Sequence, residues 1–139
     1  MQLNNTSKYA IRILNYIANK HQERLLSAKE LSDVLNIPYK FLTKIMSELV
    51  KSDFVISIRG REGGYKLAKS AASITIMEIL NQFNELTTKD ECVLGIGVCD
   101  SKNKCSMHDQ WVKPKELMLK MFEETTLENL EGNGGSFKI

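Results

Sequence analysis

Apolar residues recur at helical spacing from the start of the chain. Over residues 6–19, Ala10, Ile13, Leu14 and Ile17 fall on one face of a helical period, which predicts an amphipathic helix. Ser27-Ala28-Lys29-Glu30 then has the form of a capping box. In that motif the Ser27 hydroxyl accepts from the Glu30 amide, and the Glu30 carboxylate accepts from the Ser27 amide. A short helix should follow, with Leu31, Val34 and Leu35 inward. Asn36-Ile37-Pro38 breaks it, because proline has no N–H and disfavours helix at the residue before it. Pro38 suits the start of a third helix, whose inner stripe reads Phe41, Leu42, Ile45, Met46 and Leu49.

The period then changes. Phe54-Val55-Ile56-Ser57-Ile58-Arg59 is rich in β-branched residues, Gly60-Arg61-Glu62-Gly63-Gly64 forms turns, and Tyr65-Lys66-Leu67-Ala68 resumes an extended pattern. This predicts a β-hairpin with a glycine-rich tip. Thr75-Ile76-Met77-Glu78 is a second capping box, opening a helix with Ile76, Ile79, Leu80 and Phe83 inward. Residues 87–106 read as a loop. From about residue 106 to 127 a helical pattern returns, in which Met107, Trp111, Pro114, Met118, Met121 and Thr125 form an imperfect heptad. Pro114 should kink this helix or mark a restart. The fold expected is mainly α with a small β-hairpin wing: a winged helix-turn-helix DNA-binding domain plus a long C-terminal dimerisation helix. The expected divisions are a head over residues 1–84, a cysteine-bearing loop over 85–106, the dimerisation helix over 107–130, and a flexible tail over 131–139.

Composition narrows the function. The chain has 139 residues, 42% of them hydrophobic and 26% charged, which argues against wholesale disorder. Its net charge of +2 excludes a polybasic protein acting by bulk charge. No apolar run reaches the roughly 18 residues of a membrane span, and the first residues lack the form of a signal peptide, so a cytoplasmic protein is expected. The near-balance hides a segregation. Residues 38–69 hold seven Lys/Arg against three Asp/Glu, a local +4, whereas residues 107–131 hold three Lys against six Asp/Glu, a local −3. The basic part is the candidate nucleic-acid surface. On the third helix, Tyr39, Lys40, Thr43, Lys44, Ser47 and Lys51 mix cations with side chains able to reach base edges in a major groove. At the hairpin tip, Arg59 and Arg61 stand among Gly60, Gly63 and Gly64, which would let the backbone approach a phosphate or an arginine enter a minor groove. The plainer alternative is a solvated helix face beside an ordinary hairpin.

Cys92, Cys99 and Cys105 are the chain's three cysteines, and His108 follows the last of them. The intervals hold six, five and two residues. An odd count in a chain of this kind argues against a disulfide framework. Three thiols and an imidazole suit tetrahedral zinc or an iron–sulfur cluster. Zinc sites usually draw two ligands from each of two tight knuckles, and here only Cys105 and His108 are that close. Wide loops fit a larger, multi-metal object better. A cluster-free thiol switch, structural zinc and inert buried cysteines remain as alternatives. His21 should lie at a helix end, and the methionines read as packing. Two further classes also stay open: a small electron-transfer protein, and a partner-binding module using the C-terminal helix. No nucleophile–base pair or phosphate loop marks an enzyme.

Lys8-Tyr9-Ala10 within the first helix, the run Ile56-Ser57-Ile58-Arg59-Gly60-Arg61-Glu62-Gly63-Gly64-Tyr65-Lys66-Leu67, and the cysteine loop together resemble the Rrf-type winged-helix regulators, over roughly residues 1–127. That resemblance implies a homodimeric bacterial transcription regulator that binds a double-stranded DNA operator. It also implies sensing of iron–sulfur status, nitric oxide or redox state through a cluster. Cys92, Cys99 and Cys105 match the family's cysteine ligands. His108 stands where the IscR-like branch places its fourth ligand, which implies a 2Fe–2S cluster. The NsrR-like branch uses an acidic residue where this chain has Lys8, and a cationic lysine does not ligate iron. The interval between Cys92 and Cys99 is one residue longer than in these branches. CymR-like members lack the cysteines.

Overall fold

The computed structural model describes residues 3–20, 24–84, 92–94, 97–98 and 100–130. His21, Cys99 and the tail over residues 131–139 lie outside them. Helix α1 (Asn5–Lys20) begins where the Asn4 side chain accepts from the Ser7 amide at 2.8 Å. It buries Ala10, Ile13, Leu14 and Ile17 completely, as its period predicts. Helix α2 (Ala28–Leu35) is capped by Ser27, whose hydroxyl accepts from the Glu30 amide at 3.1 Å. The reciprocal half of that capping box gives way to a different bond: the Glu30 carboxylate takes the Arg24 guanidinium at 2.6 Å, which raises the arginine's pKa.

The turn after α2 is built from its own residues. Asn36 adopts a left-handed conformation (φ 52°), and the Ser32 hydroxyl donates to the Ile37 carbonyl at 2.6 Å. Ile37 plugs the core, and Pro38 caps helix α3 (Tyr39–Lys51). From α1, Arg12 donates to the Leu35 carbonyl at 2.6 Å, fixing the end of α2 against the first helix. Helix α3 buries Leu42, Ile45, Met46 and Leu49. Two expected inward residues face out instead: Val34 is 39% exposed and Phe41 59% exposed.

Strands β1 (Val55–Ile58) and β2 (Gly64–Leu67) pair antiparallel, with Val55 opposite Leu67 and Ile58 opposite Gly64. Leu26 adds a third, one-residue edge. Its amide donates to the Tyr65 carbonyl at 3.0 Å, and the Tyr65 amide donates back at 2.8 Å. A Cβ on Gly64, at φ +156°, would stand 2.7 Å from the Leu26 carbonyl oxygen, so a side chain there would push this edge away. A 3-10 turn (Ala71–Ser73) leads to helix α4 (Ile76–Gln82), whose capping box is complete: Thr75 and Glu78 exchange bonds of 3.2 Å each.

Helix α5 (His108–Glu124) continues through Pro114 without a restart. Its far end returns to the head. The Ile76 amide donates to the Thr125 carbonyl at 2.9 Å, and the Leu127 amide donates to the Ile74 carbonyl at 3.0 Å. Phe122 and Leu127 join the same core as α1 and α3. Among the described residues the architecture is five α-helices and a two-stranded hairpin, a winged helix-turn-helix with a C-terminal helix packed on α4. Among the described residues, no helix is long and apolar enough to cross a membrane.

Candidate functional site

Two regions collect the residues that carry chemistry. The first is the outer face of α3 with the hairpin tip. Tyr39, Lys40, Lys44, Ser47 and Lys51 are all exposed, with Tyr39 at 56%. Thr43 is half-buried and turns its hydroxyl to the Lys40 carbonyl at 3.1 Å, so in this state it is bonded along the helix. Lys51 lies 3.8 Å from Glu48, an exposed pair of small energetic weight. The helix face therefore offers cations and short polar groups to solvent, in the pattern a major groove can accept.

At the tip, Arg59 and Arg61 are exposed on either side of Gly60. The turn closes when the Gly63 amide donates to the Gly60 carbonyl at 3.0 Å. A Cβ on Gly63 would fall 2.1 Å from the Ile58 carbonyl oxygen, inside any possible contact. Gly63 and Gly64 are thus required by the hairpin itself, before any contact with DNA. Gly60, at φ +124°, has open space around its Cβ position, so there the need for glycine is conformational alone.

The second region lies where the cysteine loop meets α5. Cys92 is buried; its amide donates to the Gly97 carbonyl at 2.7 Å, and its sulfur accepts from the Leu94 amide at 3.4 Å. The loop continues through a tight turn, in which the Asn103 amide donates to the Asp100 carbonyl and the Lys102 amide donates to the Asp100 side chain at 2.9 Å. Cys105 and His108 sit on the turn that opens α5, tied by the His108 amide donating to the Cys105 carbonyl at 3.1 Å. Lys104 and Asp109 bracket them with an ion pair at 3.1 Å. His108 is buried and Cys105 half-buried. Cys92, Cys105 and His108 line one cavity of about 140 Å³, together with Val98, Asp100, Asn103, Lys104 and Ser106. Among the described residues, no three of His, Cys, Asp or Glu converge as ligands of a metal ion. The remaining thiol assigned from the sequence, Cys99, lies outside those residues.

This arrangement matches known proteins along its length. Residues 3–133 match the Rrf2 family, described as iron-dependent transcriptional regulators. The chain belongs to the Rrf2 family. Among its relatives, the transcriptional regulator NsrR of Oceanobacillus iheyensis is 34% identical over 134 residues, covering 96% of this chain and 91% of that one. NsrR of Halalkalibacterium halodurans is 31% identical, covering 96% and 92%. The Rrf2 fold is equally evident in solved structures. CymR, the global cysteine regulator of Bacillus subtilis, superposes with a TM-score of 0.76 at 24% identity, covering 94% of this chain and 95% of that one. IscR of T. potens gives 0.71 at 18% identity, covering 94% and 85%. As an Rrf2 protein the chain is a transcriptional regulator, and its relatives are named as regulators rather than enzymes.

Proposed function

We propose that this Rrf2 chain is a homodimeric cytoplasmic regulator whose hold on operator DNA responds to an iron–sulfur cluster. Cys92, Cys99, Cys105 and His108 would hold the cluster, and the donor set fits the 2Fe–2S type. One observation carries the reading: Cys92, Cys105 and His108, which span 16 positions of the chain (108 − 92), border one cavity at the start of α5. Thiolates and a neutral imidazole are the donors that iron takes in such clusters. When bound, the cluster supplies one-electron redox chemistry and reactivity toward nitric oxide and oxidants. The chain's own residues then do the coupling. The Cys92 loop is closed on Gly97, and Cys105 is bonded to the first residue of α5. Occupancy of these side chains therefore bears on the helix whose other end is paired with the head. Such coupling between two sites is typically about 1–3 kcal/mol.

The DNA side rests on the exposed cations of α3 and of the hairpin tip. The similarity to NsrR regulators over nearly the whole chain supports the cluster, as does the likeness to IscR. The likeness to CymR, solved also in an oxidised form from Staphylococcus aureus, supports a second reading in which the thiols act without a cluster. Reconstitution without oxygen, using ferrous iron and sulfide, separates them. The cluster reading expects visible charge-transfer absorption and roughly two irons per chain. Protein that binds no iron and loses DNA affinity on mild oxidation would establish the thiol reading, and one tetrahedral zinc would establish the structural alternative.

A further inference from the structure

A groove of about 600 Å³ runs between the N-terminal turns of α1, one flank of α3 and the end of α4. Its walls include Thr6 and Tyr9 from α1, Phe41, Lys44 and Glu48 from α3, and Asn84 beyond α4. The sequence gives no warning of it, because Tyr9 and Lys44 are far apart in the chain and neither belongs to a motif that includes the other. The groove explains Phe41: a side chain the apolar period places inward stands 59% exposed at its edge.

The position of the groove decides its occupant. A helix with its side chains is about 10–12 Å across. The major groove of B-DNA is about 12 Å wide. A helix seated there leaves no space between its flanks and the two phosphate backbones. Lys44 belongs both to the outward face of α3 and to this groove, so the groove is one flank past which a backbone would run. Its chemistry suits that role. A lysine, a threonine hydroxyl, a phenol and amide side chains are the groups that contact phosphate and sugar without reading bases. Phe41 offers an apolar edge to a deoxyribose. One group opposes the path: the Glu48 carboxylate, which lines the groove and lies 3.8 Å from the exposed Lys51 ammonium.

We infer that this groove is the phosphate track of the bound operator, in which Thr6, Tyr9 and Lys44 position one DNA strand and Glu48 limits its affinity. The inference rests on the DNA-binding reading above and adds to it residues outside the helix-turn-helix, together with a residue that weakens binding. The probe is a fluorescent 30-base-pair duplex of random sequence, titrated by anisotropy at several salt concentrations, with melting curves to confirm that each variant is folded. Tyr9→Phe and Thr6→Ala should each weaken binding about three- to tenfold with no change in the salt slope, since neither removes a charge. Lys44→Ala should weaken binding and also reduce the slope by about 0.9. Glu48→Gln should tighten binding severalfold, which no loss of structural support would do. If Lys44→Ala loses affinity while Tyr9→Phe, Thr6→Ala and Glu48→Gln all bind as wild type, the backbone passes elsewhere and the track is wrong, although the DNA-binding reading stands. If wild type binds no duplex at any salt concentration, both fall together.

Discussion

Gly63 and Gly64 hold the wing together by what they lack. An added methyl would meet the Ile58 carbonyl oxygen at 2.1 Å in one case and the Leu26 carbonyl oxygen at 2.7 Å in the other. Gly63→Ala should therefore destabilise the protein by about 1–3 kcal/mol, the usual scale for forced local strain, and thermal melting would measure it. The sequence marks these glycines as a turn. It does not reveal their steric reason, which depends on the strand register that sets Ile58 opposite Gly64 and on Leu26 arriving from before α2. At the thiol cavity, the clustering of Cys92, Cys105 and His108 was legible because these residue types are rare and lie close in the chain. How they face one another was not, since residues 93–104 follow no helical or strand period. For the proposed cluster, Cys105→Ala should abolish the visible absorption after anaerobic reconstitution. His108→Cys should retain it with a lower reduction potential, because a thiolate adds negative charge to the cluster. Equal absorption in Cys105→Ala and wild type would remove Cys105 from the ligand set.

Among the elements, the helices were legible wherever an apolar stripe and a cap agreed. Helices α2 to α4 begin where Ser27, Pro38 and Thr75 mark their starts, and α1 begins at Asn5, one residue before the stretch its apolar period marks. The misplacements sit at stripe edges, where one step around a helix separates core from solvent. Val34 and Phe41 flank buried neighbours and fall within the apolar stripe of the sequence, yet both face outward. The two capping boxes also differ in a way that sequence alone conceals. Both halves form at Thr75, whereas at Ser27 the glutamate turns to Arg24, a residue the motif does not contain. Thr75→Ala should accordingly cost about 1 kcal/mol by chemical denaturation. Glu30→Gln should cost less than half as much, because its partner is an exposed cation. A larger loss at Glu30 than at Thr75 would contradict this ordering. Pro114 shows that a proline does not always end a helix: α5 continues past it, although the missing N–H leaves the carbonyl of Gln110 without its helical partner.

For the molecule as a whole, the charge asymmetry read from the sequence corresponds to real separation along the chain, with a basic α3 and wing and an acidic C-terminal helix. The proposed dimer seam can now be located more sharply. Met118 is half-buried and packs against the head's own core, whereas Leu117 and Met121 are 60% and 52% exposed on α5. Leu117→Glu with Met121→Glu should yield monomers in sedimentation while leaving the melting temperature of the monomer unit nearly unchanged; a wild type that is itself monomeric at micromolar concentration would refute the seam. The return of residues 125–127 to the strand-like segment before α4 has a consequence for how the protein is made. Leu127 is fully buried and hydrogen-bonded to Ile74, so the core cannot close while that leucine is still inside the ribosome. Nascent chains of this protein can form α1 to α3 and the wing early, but they must carry an unfinished, partly apolar head through the synthesis of the entire cysteine segment. The thiols thus emerge from the ribosome before the core of the head is complete. Chains truncated before Leu127 should resist refolding even though every residue of the helix-turn-helix is present.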